Sequence, residues 1–364
     1  TDKNHPNKMA RIGDKVAYYN DGYVRQFGGF AQLEYKNGRF STFINGSGSL
    51  TGFKRKDYFN FLDSDPKRET DWEDIGGFTA KGGVNFNIDQ NNNIFVNAGY
   101  FSRAPIFDNV YDFANNKFQD IRNEKIFGVE AGYGFSSPIA ALLFNGYYTS
   151  WKDRAISRSV TNLNTGETFY YNLVGADQEY YGLELEGRLK LSREFELEAS
   201  GSWAHNKYVN DVYTIYYPED DPNQQKVFAS YVNDLWVGDF PMINAAFQVH
   251  YRKTLSNGAS FYFNPVYTLH SMMFANFDPN ARTNEFDRTQ SWRIPDYYLV
   301  DVHVGYEVLF SNLFFKKLNI GLHIFNALNN KDYIVDGQDG NDHTANTALV
   351  FYGRNRWWNL SFTF

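Results

Sequence analysis

Side chains alternate between apolar and polar in run after run of this chain, and the connectors between runs are alternately short and long. Tyr181, Leu183, Leu185, Leu189 and Leu191 occupy one phase of a run whose other phase is Gly182, Glu184, Glu186, Arg188 and Lys190. The next run sets Phe195, Leu197, Ala199 and Trp203 against Glu196, Glu198, Ser200 and Ser202. Tyr298, Val300, Val302, Val304 and Tyr306 alternate with Leu299, Asp301, His303, Gly305 and Glu307. Leu318, Ile320, Leu322 and Ile324 do the same, and the chain closes on Trp358, Leu360, Phe362 and Phe364 against Trp357, Asn359, Ser361 and Thr363. A period of two is the mark of a strand with two different faces, and the helical period of 3.6 is nearly absent. Thirteen strands are expected, near 23–35, 40–53, 78–88, 93–101, 125–135, 139–151, 178–191, 195–206, 242–254, 259–272, 296–308, 317–328 and 356–364.

The connectors narrow the fold further. Those near 36–39, 89–92, 136–138, 192–194 and 255–258 carry turn residues, and a longer one spans 309–316. They alternate with connectors at 54–77, 102–124, 152–177, 207–241, 273–295 and 329–355, each more than twenty residues long. A soluble sandwich has no reason to lengthen every second loop. A transmembrane antiparallel β-barrel does, with short periplasmic turns and long extracellular loops. The fold class is therefore all-β. No apolar run approaches the roughly 18 residues of a membrane helix, but barrel strands need none.

Composition agrees. The 364 residues include 34 Phe, 27 Tyr and 7 Trp, too aromatic for a disordered chain. Tyr148, Tyr181, Trp203, Tyr298 and Trp358 fall in the outward phase at strand ends beside long loops. Phe135, Phe195, Phe261 and Phe364 face outward beside short turns. Two aromatic girdles around an aliphatic band are what bilayer interfaces select. Ordinary enrichment of aromatics in strands would explain their number but not their placement. A net charge of −7 without a long basic run leaves no footprint for nucleic acid. The absence of cysteine excludes disulfides, thiolate metal sites and a cysteine nucleophile. The chain begins at Thr1 with a polar stretch, so no signal peptide is expected within it.

Four segments resemble the TonB-dependent receptors of Gram-negative outer membranes. Tyr100-Phe-Ser-Arg-Ala-Pro105 resembles that family's Arg-Ala-Pro element. Asn172-Leu-Val-Gly-Ala176 followed by Tyr181-Gly-Leu-Glu-Leu-Glu186 resembles its Asn…Gly…Gly-x-Glu strand. Ile324-Phe-Asn-Ala-Leu-Asn-Asn-Lys-Asp-Tyr333 is similar to its penultimate strand, usually Asn-Leu-Phe-Asp. Gly353-Arg-Asn-Arg-Trp-Trp-Asn-Leu-Ser-Phe-Thr-Phe364 resembles the closing strand with its terminal Phe. The resemblance runs from about Phe27 to the C-terminus, and the Asn- and aromatic-rich flavour is closer to receptors of the Bacteroidetes type. It implies an outer-membrane transport protein that binds a scarce nutrient at its external loops and imports it with energy supplied by TonB. The implied partners are the TonB complex, reached through a plug, the outer-membrane lipid, the barrel-assembly machinery and, for some receptors, a surface lipoprotein.

The family has an N-terminal plug, often a TonB-contacting box, and 22 strands, whereas this sequence shows no plug, no box and 13 strands. Complete barrels have an even count with both ends periplasmic. The odd count predicts that residues 1–22 are a remnant of an extracellular loop and that 23–364 are the C-terminal part of a barrel, strands 10 to 22. A further strand within 15–20 would make the count even. The alternatives are a complete 14-stranded passive channel resembling the fatty acid transporter, or a barrel serving as adhesin or assembly scaffold.

No enzyme is expected. Glu184, Glu186, Arg188, Glu196 and Glu198 could pass for acid–base groups, but like Asp301 and His303 further on they lie in the lumen-facing phase, where a wide barrel must be polar or touch its plug. Seven His residues and many Ser are scattered without a nucleophile elbow or metal-ligand spacing, so neither catalytic residue, metal nor cofactor is predicted. Asp336-Gly-Gln-Asp-Gly-Asn-Asp342 has the oxygen ligands calcium prefers, yet reads better as a polar loop tip. The expected ligand contact is the loop 207–241, where Tyr213, Tyr216, Tyr217, Tyr231 and Trp236 stand near Glu219, Asp220 and Asp221. Flat aromatic faces with carboxylates suit sugars, peptides and cationic or metal-chelate ligands; the competing reading is a loop cap packed on itself. Trp358, Leu360, Phe362 and Phe364 resemble the C-terminal signal read by the barrel-assembly machinery.

Overall fold

In the computed structural model of the chain, the period of two becomes one antiparallel sheet. The structure describes residues 3–15, 19–112, 115–118, 120–161, 168–216, 226–310, 314, 316–331, 333–351 and 353–363. The strands are β1 (Asn20–Asn37), β2 (Phe40–Asp57), β3 (Glu73–Asn87), β4 (Asn92–Arg103), β5 (Glu124–Ser136), β6 (Ala140–Lys152), β7 (Ala155–Thr161), β8 (Thr168–Val174), β9 (Gln178–Lys190), β10 (Phe195–Tyr208), β11 (Val212–Tyr216), β12 (Lys226–Ser230), β13 (Ile243–Thr254), β14 (Ser260–Ser271), β15 (Met273–Phe274), β16 (Arg293–Ile294), β17 (Tyr297–Leu309), β18 (Lys317–Phe325), β19 (Ile334–Asp339), β20 (Ala345–Val350) and β21 (Asn355–Thr363). Thirteen of them form one sheet in the order β1-β2-β3-β4-β5-β6-β9-β10-β13-β14-β17-β18-β21. The other eight make four two-stranded sheets, β7–β8, β11–β12, β15–β16 and β19–β20, inside the long connectors. These hairpins are additions to the expected layout, and β1 starts at Asn20, three residues earlier than expected. Of the stretch that might have held a further strand, residues 16–18 lie outside the described residues.

Local chemistry sets the short turns. Gly38 takes φ +57° in the two-residue loop joining β1 to β2, a backbone that a side chain would strain. Asp89 Oδ1 accepts from the backbone N–H groups of Asn91 and Asn92 at 2.7 and 2.9 Å. Ser192 Oγ accepts from those of Glu194 and Phe195, both at 3.1 Å. Such side-chain-capped turns close the chain within a few residues, and so fix the register of the strands they join.

That register carries one apolar face across the whole sheet. Leu33 stands opposite Ile44, Phe86 opposite Ile94, and Phe144 opposite Leu185. Leu197 faces Val249, Phe263 faces Val304, and Leu322 faces Trp358. On this face Tyr148 lies opposite Tyr181, whose ring meets Trp203 edge-on at 6.1 Å, and Tyr298 stacks on Tyr267 at 6.0 Å. The five girdle residues thus share the face of the aliphatic band. Of the closing residues, Trp358, Leu360 and Phe362 lie on it as well, while Phe364 is outside the described residues.

A single layer of sheet has no core between its strands, so the buried hydrophobic residues gather among the long connectors. One cluster joins Tyr208, Val212, Val232, Leu235, Val237 and Phe277. A smaller one joins Phe53, Val110 and Tyr111.

Candidate functional site

Two regions hold the residues singled out by sequence: the polar face of the sheet and the packed loops at its long-connector end. On the polar face, register places Glu198 opposite Arg188, Glu186 opposite Ser200 and Glu184 opposite Ser202, with Glu196 opposite Lys190. Asn145 donates to Glu184 at 3.2 Å, and Arg188 lies 4.0 Å from Glu196. The band is polar, mixed in charge and spread along two strands.

Further along the same face, His303 and His323 stand opposite each other on β17 and β18 with their Nδ1 atoms 2.9 Å apart. Asp301 accepts the backbone N–H of Asn326 at 2.7 Å, tying the end of β18 back to β17. Asn326 has φ +50°, which Asn tolerates, and its side chain exchanges hydrogen bonds with the backbone of Asn330 at 2.6 and 2.8 Å. The Phe-Asn-Ala-Leu-Asn-Asn segment is therefore a turn device that ends a strand.

In the loops, the hairpin β11–β12 lies over the cluster around Tyr208. Arg288 from the 273–295 connector grips Asp211 with two hydrogen bonds of 2.6 and 2.9 Å. That contact holds the Asp211 carboxyl below its usual range. The guanidinium also lies over the Tyr231 ring at 5.4 Å, and Tyr213 meets Tyr231 edge-on at 6.3 Å. Tyr213, 57% exposed, and Tyr231 form an accessible aromatic pair beside a positioned cation. Trp236 does not join them. It stacks on Phe274 at 5.7 Å, meets His205 at 4.6 Å and carries the Lys207 ammonium 4.8 Å above its ring. His205 and Lys207 lie in the outward phase of β10, so Trp236 serves the loop cap on that side. Tyr216 ends β11 opposite Lys226, while Tyr217, Glu219, Asp220 and Asp221 lie outside the described residues.

The 273–295 and 329–355 connectors are locked by an ion pair that sequence reading did not reveal. Arg282 donates to Asp339 at 2.5 Å, both side chains fully buried, and also to Thr289 O and Ser291 Oγ. Asp339 further accepts the Trp292 N–H at 2.8 Å, and His343 bridges Asp339 and Asp287 at 3.2 and 2.8 Å. The His343 contact holds the Asp287 carboxyl down. The acidic loop 336–342 is thus taken up by structure: Asp339 is paired, Asp342 caps Thr344, and Asp336 adjoins Asp239. Among the described residues no three potential ligands gather around a metal position.

One continuous apolar face, a polar opposite face and loops at one end define the wall of a transmembrane β-barrel. The family described as "TonB dependent receptor-like, beta-barrel" matches residues 2–327, and the chain belongs to that family. Its members are receptors and transporters of Gram-negative outer membranes rather than enzymes. No curated protein matches the sequence. Among solved structures, the copper transporter OprC superposes with a TM-score of 0.65 at 15% identity, over 94% of this chain and 48% of that one. The siderophore receptor PiuA from Acinetobacter baumannii gives 0.61 at 14% identity, over 94% and 44%. The ferric yersiniabactin uptake receptor FyuA from Yersinia pestis gives 0.57 at 14%, over 92% and 45%. The chain spans about half the length of the structures it matches.

Proposed function

We propose that the chain is the C-terminal part of a TonB-dependent receptor in a Gram-negative outer membrane, binding a scarce nutrient at its external loops and importing it with TonB-supplied energy. The observation that carries this reading is the open sheet: β1 and β21 each pair with one neighbour and not with each other. Edges of unpaired backbone cannot stand in lipid, where each unsatisfied group costs several kcal/mol. In this reading residues 23–364 are barrel and 1–22 belong to an external loop. The remaining strands and a plug complete the particle, and the TonB complex acts through that plug. The polar band from Glu184 to Glu198, with Asp301 and His303, faces the plug, and the terminal residues through Phe364 address the barrel-assembly machinery. A surface lipoprotein is a further partner for the loops.

Within the loops, Tyr213 and Tyr231 beside Arg288 are the contact we assign to the nutrient, joined by Tyr216, Tyr217 and Asp220 of the same loop. Trp236 supports them from the cap. The named cargoes of the structural neighbours, copper and ferric siderophores, favour a metal or metal chelate. A passive 14-stranded channel has less support, since the family match covers nine-tenths of the chain. The test compares nutrient accumulation in cells with and without TonB, beside binding to purified receptor. Binding retained and accumulation lost supports the proposal. Accumulation that persists without TonB and rises linearly with external nutrient would overturn it.

A further inference from the structure

We infer that His303 and His323 form a two-imidazole seat for a divalent transition metal on the polar wall of the barrel. The two side chains come from adjacent strands and face each other in register, flanked in the same row by Asn264 and Trp357. Their Nδ1 atoms converge at 2.9 Å, with ring centroids 5.0 Å apart and planes tilted by 52°. His323 Nε2 lies 3.2 Å from Asn359 Oδ1. A side-chain amide oxygen only accepts, so Nε2 carries the proton and Nδ1 of His323 presents its lone pair toward His303. That is how an outer partner orients a metal-bound histidine.

Without metal, the contact is an N–H···N hydrogen bond in which His303 donates. When a metal binds, His303 changes to its Nε2–H tautomer, so its proton moves from Nδ1 to Nε2, both rings stay neutral and both Nδ1 lone pairs are available. Metal–imidazole bonds run about 2.0–2.1 Å, and two such bonds at a right angle place their nitrogens about 2.9 Å apart. The observed separation is therefore that of neighbouring ligands on a square-planar or tetragonal ion, the geometry Cu(II) and Ni(II) prefer. A metal at the apex of that right angle lies off the line joining the two nitrogens, so each ring turns to aim its lone pair there, while the strand register keeps the two nitrogens within reach. The support is built in as well. A Cβ at Gly321 would collide with the Asn359 side chain and stand 2.8 Å from Tyr262 Oη, so the glycine is what lets Asn359 lie where it meets His323. Two protein ligands leave the other positions to water or to an incoming group, which makes the seat open and exchangeable. This inference does not depend on which nutrient the loops bind.

Cu(II) is the probe. Full-length receptor purified from outer membranes should bind one more equivalent of Cu(II) than its His303→Gln or His323→Gln variant, measured by equilibrium dialysis. Its electron paramagnetic resonance spectrum should show coupling to two nitrogens that either substitution removes. Asn359→Leu removes no ligand but releases the tautomer, and should weaken copper about 10- to 100-fold. Resistance of the barrel to SDS before heating checks that each variant is folded. Equal copper binding by wild type and both histidine variants, or a folded wild type whose copper spectrum shows only oxygen ligands, would overturn the inference.

Discussion

Replacing Arg282 by Met should undock two loops while leaving the barrel wall intact. The side chain is fully buried, and its removal strands the Thr289 carbonyl and Ser291 Oγ and takes from Asp339 Oδ2 its cationic partner. Asp339 keeps the Trp292 N–H and His343, but its charge loses the cation that justified burying it. Breaking a buried pair in this way costs about 3–5 kcal/mol. The sheet is held by its own ladders, so the loss should appear as local opening of the 273–295 and 329–355 connectors. Hydrogen exchange reads this directly. At 1.4 kcal/mol per tenfold, exchange should speed up about a hundred- to a few-thousand-fold. The amides to follow are Trp292, Tyr231, which donates to Arg282 O, and Asp339, which donates to Asn276 O. Amides of β9 and β10 should not change. Adding Asp339→Asn should recover most of the loss, because Asn still accepts from Trp292 and buries no charge. Loop exchange within threefold of wild type in the single variant, or equal acceleration in β9 and β10, would refute the reasoning.

Three further outcomes can be measured. Burial first, and then the adjoining Asp336 carboxylate, push the Asp239 carboxyl up to about 7; the folded loops therefore hold a proton that the opened chain releases near pH 4, and loop stability should fall as pH rises from about 4 to 7. Asp239→Asn should flatten that slope in hydrogen exchange at a series of pH values. Leu185→Arg, on the apolar face opposite Phe144, should destabilise the barrel by about 2–4 kcal/mol near the bilayer midplane, while Glu186→Arg next to it should cost much less; equal penalties in urea titrations would mean the faces are misassigned. Trp236→Ala, at a half-buried ring, should loosen the loop cap by about 1–3 kcal/mol, whereas Tyr213→Ala, at an exposed ring, should leave loop exchange unchanged and weaken nutrient binding.

Leu183, Leu185, Glu184 and Glu186 declare their faces in the primary structure, because a strand turns alternate side chains to opposite sides wherever it is placed. The turn residues Gly38, Asp89 and Ser192 likewise act on neighbours within three positions. Strand number, face and the order of short and long connectors are all local consequences of this kind, and they were legible without coordinates. The four loop hairpins were not. Segments such as Val212–Tyr216 and Lys226–Ser230 are short and gain their order by lying on Tyr208, Val232 and Phe277, which come from three different places in the chain. Trp236 follows Tyr231 closely in sequence, and only the fold shows that its neighbours are His205 and Lys207 of β10 and Phe274. The meeting of His303 with His323 needed one register among several: a slip of one residue would set His303 against Leu322 or Ile324. Arg282 finds Asp339 across 57 residues of sequence. Alternation and turn chemistry are decided by bonds and sterics within a few residues, so the sequence alone determines the wall. Which side chains meet across strands and loops depends on where separate segments come to rest together, and only the tertiary structure decides that.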